Sequence, residues 1–183
     1  MDCKYGIRIA AITSGPLSSK TAFVSCVIYR SGIIEGLLST NIEVNGSNST
    51  SKLARMFRKS RFSQQIRILA FNGIALAGLN VVDVYKLSGM LRAGFVIATR
   101  KKPRKELLLE ALDAFASKKG EDVSFRKAIV ERVSSESIAY LNGFYFQGIY
   151  APDSTMAARI IEALRISHII SRGVSTGESK GRL

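Results

Sequence analysis

The chain has 183 residues, and its 27 Lys and Arg residues against 14 Asp and Glu residues give a formal net charge of +13. Hydrophobic residues make up 46% of the chain and charged residues 22%, which excludes a disordered or low-complexity polypeptide. The length suits a single domain over residues 1–183, and no uncharged apolar run reaches the roughly 18 residues of a membrane-spanning helix. The N-terminus carries no signal-peptide pattern, which predicts a cytoplasmic protein.

The positive charge indicates a polyanionic partner, because an excess of this size attracts nucleic acid and steers its association. A solvated surface that binds nothing is the alternative explanation. Two cysteines, Cys3 and Cys26, and one histidine are too few for a Cys/His zinc site, which needs about four ligands. Cys26 lies in an apolar run and is predicted to be a core residue.

The first part of the chain predicts an antiparallel meander followed by a helix. Three segments rich in apolar and β-branched residues are separated only by short turns, so they are predicted to be adjacent strands. They cover residues 7–13, 22–30 and 33–44. The period becomes helical over residues 47–60, where Leu53 and Phe57 fall on one face.

Strands and helices then alternate, which implies parallel crossovers. Strands are predicted at 66–72 and 94–99, a short helix at 81–88 and a longer helix at 103–117. The last third predicts extended segments at 137–141 and 143–150, a helix at 153–171 and a flexible tail at 173–183. This order is typical of an α/β fold of the RNase H-like type, in which a three-strand antiparallel meander continues into parallel strands with flanking helices.

Several segments resemble a known family. They are I-T-S-G at 12–15, V-N-G at 44–46, F-N-G-I-A-L-A-G-L-N-V-V-D at 71–83, R-K-K-P at 100–103 and L-R-I-S-H-I-I-S-R-G-V-S-T-G-E-S-K-G-R at 164–182. Through them the chain resembles, from near residue 5 to its end, the archaeal domain-of-unknown-function family numbered ninety-nine, which is related to endonuclease V. The resemblance implies an RNase H-like fold and, by analogy, a single-stranded or deaminated nucleic acid as partner.

The chain departs from that family at its acidic positions. Where the family typically carries carboxylates, the resemblance implies vestigial site positions at Thr13, Ser14, Asn45 and Asn72, while Asp83 is kept. Mg²⁺ needs hard, usually anionic oxygen ligands, and Thr, Ser and Asn supply only neutral oxygens. We therefore predict no catalytic residue, no metal and no cofactor. The alternative is a metal-dependent nuclease, in which Asp83 together with Glu35 or Glu43 would bind Mg²⁺.

Two basic groups are the candidate nucleic-acid contacts. The first surrounds Pro103 at the start of a predicted helix and consists of Arg100, Lys101, Lys102, Arg104 and Lys105. Cations at a helix N-terminus are unfavourable because that end of the helix dipole is positive, so their presence indicates an anionic ligand such as phosphate. The alternative is a solvated loop that binds nothing, since Glu106 in the first turn already offsets part of the unfavourable charge. The second group lies at the end of the first predicted helix and consists of Arg58, Lys59 and Arg61. The helix dipole stabilises cations at this end, so a purely structural role is the alternative to nucleic-acid contact.

Two other features have more than one interpretation. Asn72 and Gly73 follow a predicted buried strand and form either a ligand contact or a tight turn. His168 lies among isoleucines and is expected to be a hydrogen-bonded core residue rather than a catalytic one. These residues favour a non-catalytic nucleic-acid-binding protein. The alternatives are the metal-dependent nuclease and a structural or protein-interaction subunit whose basic surface meets an acidic partner.

Overall fold

The computed structural model describes residues 6–18 and 20–178. In that part of the chain the strands are β1 (Arg8–Ser14), β2 (Thr21–Arg30), β3 (Ile33–Glu43), β4 (Ile66–Phe71), β5 (Ala75–Leu76), β6 (Asn80–Val81), β7 (Gly94–Thr99), β8 (Ile138–Leu141) and β9 (Phe144–Gln147). The helices are α1 (Ser49–Arg58), α2 (Val84–Leu91), α3 (Lys105–Lys119), α4 (Ser124–Ser134) and α5 (Ser154–Glu178). None of these helices is both long and apolar enough to cross a membrane.

Seven of the described strands form one mixed sheet in the order β3-β2-β1-β4-β7-β9-β8. β1, β2 and β3 are antiparallel neighbours, whereas β4 lies parallel to both β1 and β7. The hairpin of β8 and β9 adds to β7 in the antiparallel direction. The predicted fold class, a three-strand meander continued by parallel strands with flanking helices, is therefore confirmed.

The sheet buries apolar residues on both of its faces. Because side chains alternate along a strand, Ile9 and Ala11 pack toward α5, while Ala10 and Ile12 pack toward the layer of α1 to α4. Cys26 is fully buried in this second core, as predicted, and its burial raises the pKa of the thiol above its ordinary range. Cys3 lies outside the described residues.

Several elements differ from the sequence-based expectation. Helix α4 and the small hairpin of β5 and β6 were not expected, and α2 begins at Val84 rather than at residue 81. Helix α5 continues to Glu178 and so enters the segment predicted to be a flexible tail. The rest of that segment, residues 179–183, lies outside the described part of the chain.

Candidate nucleic-acid interface

The carboxyl ends of β1 and β4 bring two of the predicted positions together. Ile12 and Phe71 are the last aligned pair of these parallel strands, so Thr13 and Asn72 are the next residues along the two neighbouring strands. Both follow the alternation that directs Ala11 and Ala70 toward α5. Thr13 and Asn72 thus share one face and one edge of the sheet.

Thr13 is nevertheless closed off from solvent. It is fully buried, and its Oγ1 lies 2.9 Å from Ser167 Oγ, 3.3 Å from Ser25 Oγ and 3.4 Å from Ser171 Oγ. Ser25 Oγ donates to the Ser167 carbonyl at 2.7 Å, and Ser167 Oγ donates to the Ser25 carbonyl at 3.1 Å. These four residues form a hydroxyl cluster that joins α5 to β1 and β2.

Ser14 and Asn45 serve a different part of the molecule, because both bind the turn between β5 and β6. Ser14 Oγ accepts a hydrogen bond from the Ala77 amide at 3.4 Å. The Asn45 amide donates to the Ala77 carbonyl at 2.9 Å, and Asn45 Oδ1 accepts from the Leu79 amide at 3.0 Å. The four predicted vestigial positions therefore do not form one cluster: Thr13 and Asn72 face α5, whereas Ser14 and Asn45 hold a hairpin.

Two acids of the alternative metal site, Asp83 and Glu35, are also engaged elsewhere. Asp83 is the N-cap of α2, where its Oδ1 accepts from the Lys86 amide at 2.9 Å. Glu35 pairs with Arg8 and Arg30, and Arg8 begins β1 at the end of the sheet opposite Thr13. In residues 6–18 and 20–178 no group of three or more His, Cys, Asp or Glu side chains is placed to hold a metal ion.

The salt bridges of Glu35 are short and partly buried. Arg8 Nε lies 2.5 Å from Glu35 Oε2, and Arg30 Nη2 lies 2.5 Å from Glu35 Oε1. Burial acts to raise the pKa of the Glu35 carboxyl, but the hydrogen bonds and charges of Arg8 and Arg30 outweigh it and hold the pKa below its ordinary value. Glu35 is therefore a structural anion of the fold.

A cavity of about 320 Å³ opens beside Asn72 on the α5 face, and we call it the strand-end cavity. Its polar lining is Asn72, Arg100, Arg165 and His168. The expectation of a core histidine is wrong: His168 is exposed, because α5 turns this residue toward the cavity and buries Ser167 instead. Arg100 lies over the ring of Phe144, 5.6 Å from its centroid, and this contact fixes one wall of the cavity.

The first basic group continues from the cavity along the loop between β7 and α3. Arg100 lines the cavity, and Lys101, Lys102 and Arg104 are exposed. Thr99 Oγ1 donates to the Lys101 carbonyl at 2.8 Å and so shapes the start of the loop. Lys105 Nζ lies 2.8 Å from Glu131 Oε2, and this hydrogen bond raises the pKa of the Lys105 ammonium. Among the eight predicted cations, Lys105 is the one that forms an ion pair within the described residues.

The second basic group lies at the other end of the sheet. Arg58 lines a cavity of about 580 Å³ together with Arg67 and Arg92, near the amino end of β4. Lys59 is exposed at the C-cap of α1, and Arg61 lies over the ring of Phe62 at 4.9 Å from its centroid. The two predicted groups thus form two separate surfaces.

Sequence reasoning missed three arginines that the fold adds to these surfaces. Arg165 joins the strand-end cavity, while Arg67 and Arg92 join Arg58. Each stands alone in the sequence, without a basic run around it. The helical spacing of Leu164, Arg165 and His168 indicates that these residues share one side of a helix. It identifies Arg165 as a cavity residue only once the buried face of α5 is known.

Known proteins resemble this chain over nearly its whole length. The family model described as Endonuclease dU matches residues 5–175. A UPF0215 protein of Methanothermobacter thermautotrophicus is 31% identical over 188 residues, which covers 97% of this chain and 92% of the relative. A UPF0215 protein of Archaeoglobus fulgidus is 32% identical over 172 residues, which covers 89% and 91%.

Solved structures share the fold. A protein of unknown function from Archaeoglobus fulgidus superimposes with a TM-score of 0.74 at 26% identity, covering 92% of this chain and 98% of that one. Endonuclease V from Bacillus subtilis matches with a TM-score of 0.54 at 7% identity, covering 96% and 83%, and human ENDOV with 0.51 at 14%, covering 94% and 86%. The chain therefore has an endonuclease V-like fold of the RNase H-like type, and it belongs to the Endonuclease dU family.

Proposed function

We propose that this protein binds nucleic acid at the strand-end cavity and does not cleave it. The observation that carries the proposal is the lining of the cavity, where Arg100, Arg165 and His168 surround Asn72 at the carboxyl end of β4. Ligands of open α/β sheets bind outside the carboxyl ends of the strands. Guanidinium groups bind phosphate oxygens well, because they present several donors in one plane. The family membership and the fold support a nucleic acid as the source of these phosphates.

The side chains at the positions that are acidic in the family numbered ninety-nine do not fit a pair of Mg²⁺ ions. Such ions need anionic oxygens that converge on one point. Here Thr13 and Asn72 offer neutral oxygens on the α5 face, and Thr13 is sealed in the hydroxyl cluster. Asn45 offers a neutral oxygen that is occupied by the Leu79 amide. We therefore propose that this end of the sheet is a vestigial nuclease site that no longer holds metal ions and binds a phosphate instead.

The salt dependence of binding tests this proposal. The logarithm of the affinity for a short labelled oligonucleotide is expected to fall linearly with the logarithm of the salt concentration, because each phosphate contact releases a counterion. Changing Arg100, Lys101 and Lys102 together to Ala is expected to reduce that slope by about two to three units and to weaken binding. Fluorescence anisotropy over a series of salt concentrations measures both quantities.

The matched control removes the same charge at the other end of the sheet. A variant with Arg58, Lys59 and Arg61 changed to Ala loses three cations but leaves the strand-end cavity intact. Its slope is expected to fall by less than one unit. Equal losses in the two triple variants would show that net charge, rather than the cavity, binds the nucleic acid, and absence of binding by the wild-type protein would overturn the proposal altogether.

A further inference from the structure

The hairpin of β8 and β9 places two tyrosines at the outer edge of the sheet. Asn142 and Gly143 connect its strands with positive φ angles of 52° and 80°, as in a tight two-residue turn. Tyr140 and Tyr145 are directly opposite each other, and their ring centroids are 4.7 Å apart. Tyr140 is 62% exposed although it is a large aromatic residue. The pair thus presents an aromatic surface to solvent.

This aromatic surface lies beside the first basic group. Tyr145 pairs with Thr99, the last residue of β7, so the loop of Arg100 to Arg104 leaves the sheet next to the tyrosine pair. Phe144 points to the opposite face of the hairpin, where Arg100 lies over its ring in the strand-end cavity. One hairpin therefore carries exposed or half-buried rings on both faces, and cations of a single loop accompany it.

We propose that Tyr140 and Tyr145 form a stacking platform for the bases of a single-stranded nucleic acid whose phosphates lie along the loop of Arg100 to Arg104. This inference rests on the proposed function and specifies its ligand. Unpaired bases stack on aromatic side chains irrespective of sequence, and cations beside the rings follow the backbone. A duplex offers no free base face, because its bases are already paired and stacked on one another. The platform therefore selects single strands over duplexes.

A purely structural role for the tyrosine pair makes different predictions. A cross-strand aromatic pair stabilises a hairpin through the faces that the two rings turn toward each other. Replacement of both rings by Leu keeps apolar contact across the hairpin but removes the flat surface. A structural pair then changes the stability of the protein and has no influence on the ratio of single-strand to duplex affinity.

Anisotropy titrations with a labelled single strand and with a duplex of the same length test the platform. The variant with Tyr140→Leu and Tyr145→Leu is expected to lose about tenfold or more in single-strand affinity, while its duplex affinity changes less than twofold. The control Phe125→Leu alters an aromatic residue that is 67% exposed in the first turn of α4, and it is expected to change neither affinity.

A second variant keeps the test independent of any loss of stability. The chain contains no Trp, so Tyr140→Trp introduces a single indole at the proposed platform. Its fluorescence is expected to be quenched on addition of the single strand, since a base stacks on the indole. Wild-type binding without this quenching, or with unchanged single-strand affinity in the double Leu variant, would overturn the platform and leave the proposed function standing. Failure of the wild-type protein to bind any nucleic acid would overturn both.

Discussion

Thr13 shows how a single side chain is closed off from solvent at the carboxyl end of a central strand. Its hydroxyl is fully buried and packs against those of Ser25, Ser167 and Ser171, which leaves no room for solvent or a hydrated ion at this strand end. The neighbouring Asn72 is exposed and lines the strand-end cavity instead. Thr13 and Asn72 lie at the carboxyl ends of two neighbouring strands, yet one is buried and the other exposed, because α5 covers β1 and β2 at this edge.

Replacement of Thr13 by Asp tests this closure. The buried carboxyl is expected to destabilise the protein by several kcal/mol at pH 7, since burial penalises the charged form and raises the pKa of the new carboxyl. A raised pKa makes the penalty grow as the pH rises above about 4 and disappear below it. Urea unfolding at pH 4 and pH 7 measures the effect, with Thr13→Asn as the uncharged control of equal size. The same loss for Asp and Asn at pH 7 would show that the site is open to solvent.

Glu35 makes the fold itself sensitive to acid. The pKa of its carboxyl is held below the ordinary value of 4.5 by Arg8 and Arg30. Because this pKa is lowered in the folded state, the stabilisation is present above the unfolded pKa and is lost as the pH falls through the folded pKa. Glu35→Gln is therefore expected to lower the free energy of unfolding by about 1 kcal/mol at pH 7 and by much less at pH 3.

The control for Glu35 is an ion pair of similar length on the surface. Lys105 and Glu131 approach to 2.8 Å, but their side chains are 41% and 50% exposed, so solvent screens their attraction. Glu131→Gln is expected to have almost no effect on urea unfolding at either pH. If Glu35→Gln behaves in the same way, the partly buried salt bridges of Glu35 contribute nothing to stability.

At the scale of elements, the strands were the most predictable feature. The runs that became β1, β2, β4 and β7 are dominated by Ile, Val, Ala and Phe, and they are buried on both faces of the sheet. Their order also fixed the parallel and antiparallel neighbours, since short turns join antiparallel strands and long connections join parallel ones. The predicted architecture follows from these two properties of the sequence.

Helix α4 was not predicted, and the burial of two residues in its first turn is the reverse of what their residue types suggest. Phe125, its largest apolar residue, is 67% exposed, whereas Arg126 is only 6% exposed. Arg126 Nη1 donates to the Asn45 carbonyl at 3.0 Å, and its guanidinium lies over the ring of Phe115, 5.5 Å from the centroid. The apolar period of this face is confined to Ile129, Val130 and Val133, which are buried, because Arg126 takes the position one turn earlier.

The hairpin of β5 and β6 depends on contacts that are distant in sequence. Its strands have two residues each, and its turn is held by Ser14 and Asn45, which come from β1 and from the end of β3. Ala77 and Gly78 take positive φ angles there, and a Cβ on Gly78 would lie 2.2 Å from Asn45 Oδ1. The similarity of this segment to a family motif identified it as important, but only the fold shows that Asn45 supports a turn.

At the scale of the whole molecule, part of the excess of 27 Lys and Arg residues over 14 Asp and Glu residues gathers at two surfaces. One runs from the strand-end cavity along the loop after β7, and the other gathers Arg58, Arg67 and Arg92 at the amino end of β4. The composition predicted a polyanionic partner and the sequence separated the two basic groups, but Arg165, Arg67 and Arg92 join these surfaces only through the fold. The aromatic hairpin adjoins only the first surface, which makes that surface the stronger candidate for nucleic acid.

The most direct test of binding without cleavage is one incubation with two measurements. Labelled single strands and duplexes, plain or containing inosine or deoxyuridine, are mixed with wild-type protein and Mg²⁺ or Mn²⁺. Anisotropy reports the bound fraction, and a denaturing gel of the same sample reports strand length. Saturated binding of strands that stay intact is the expected result. Metal-dependent cleavage by the wild-type protein, abolished by Asp83→Asn although this variant keeps an oxygen to cap α2, would contradict it and establish a nuclease.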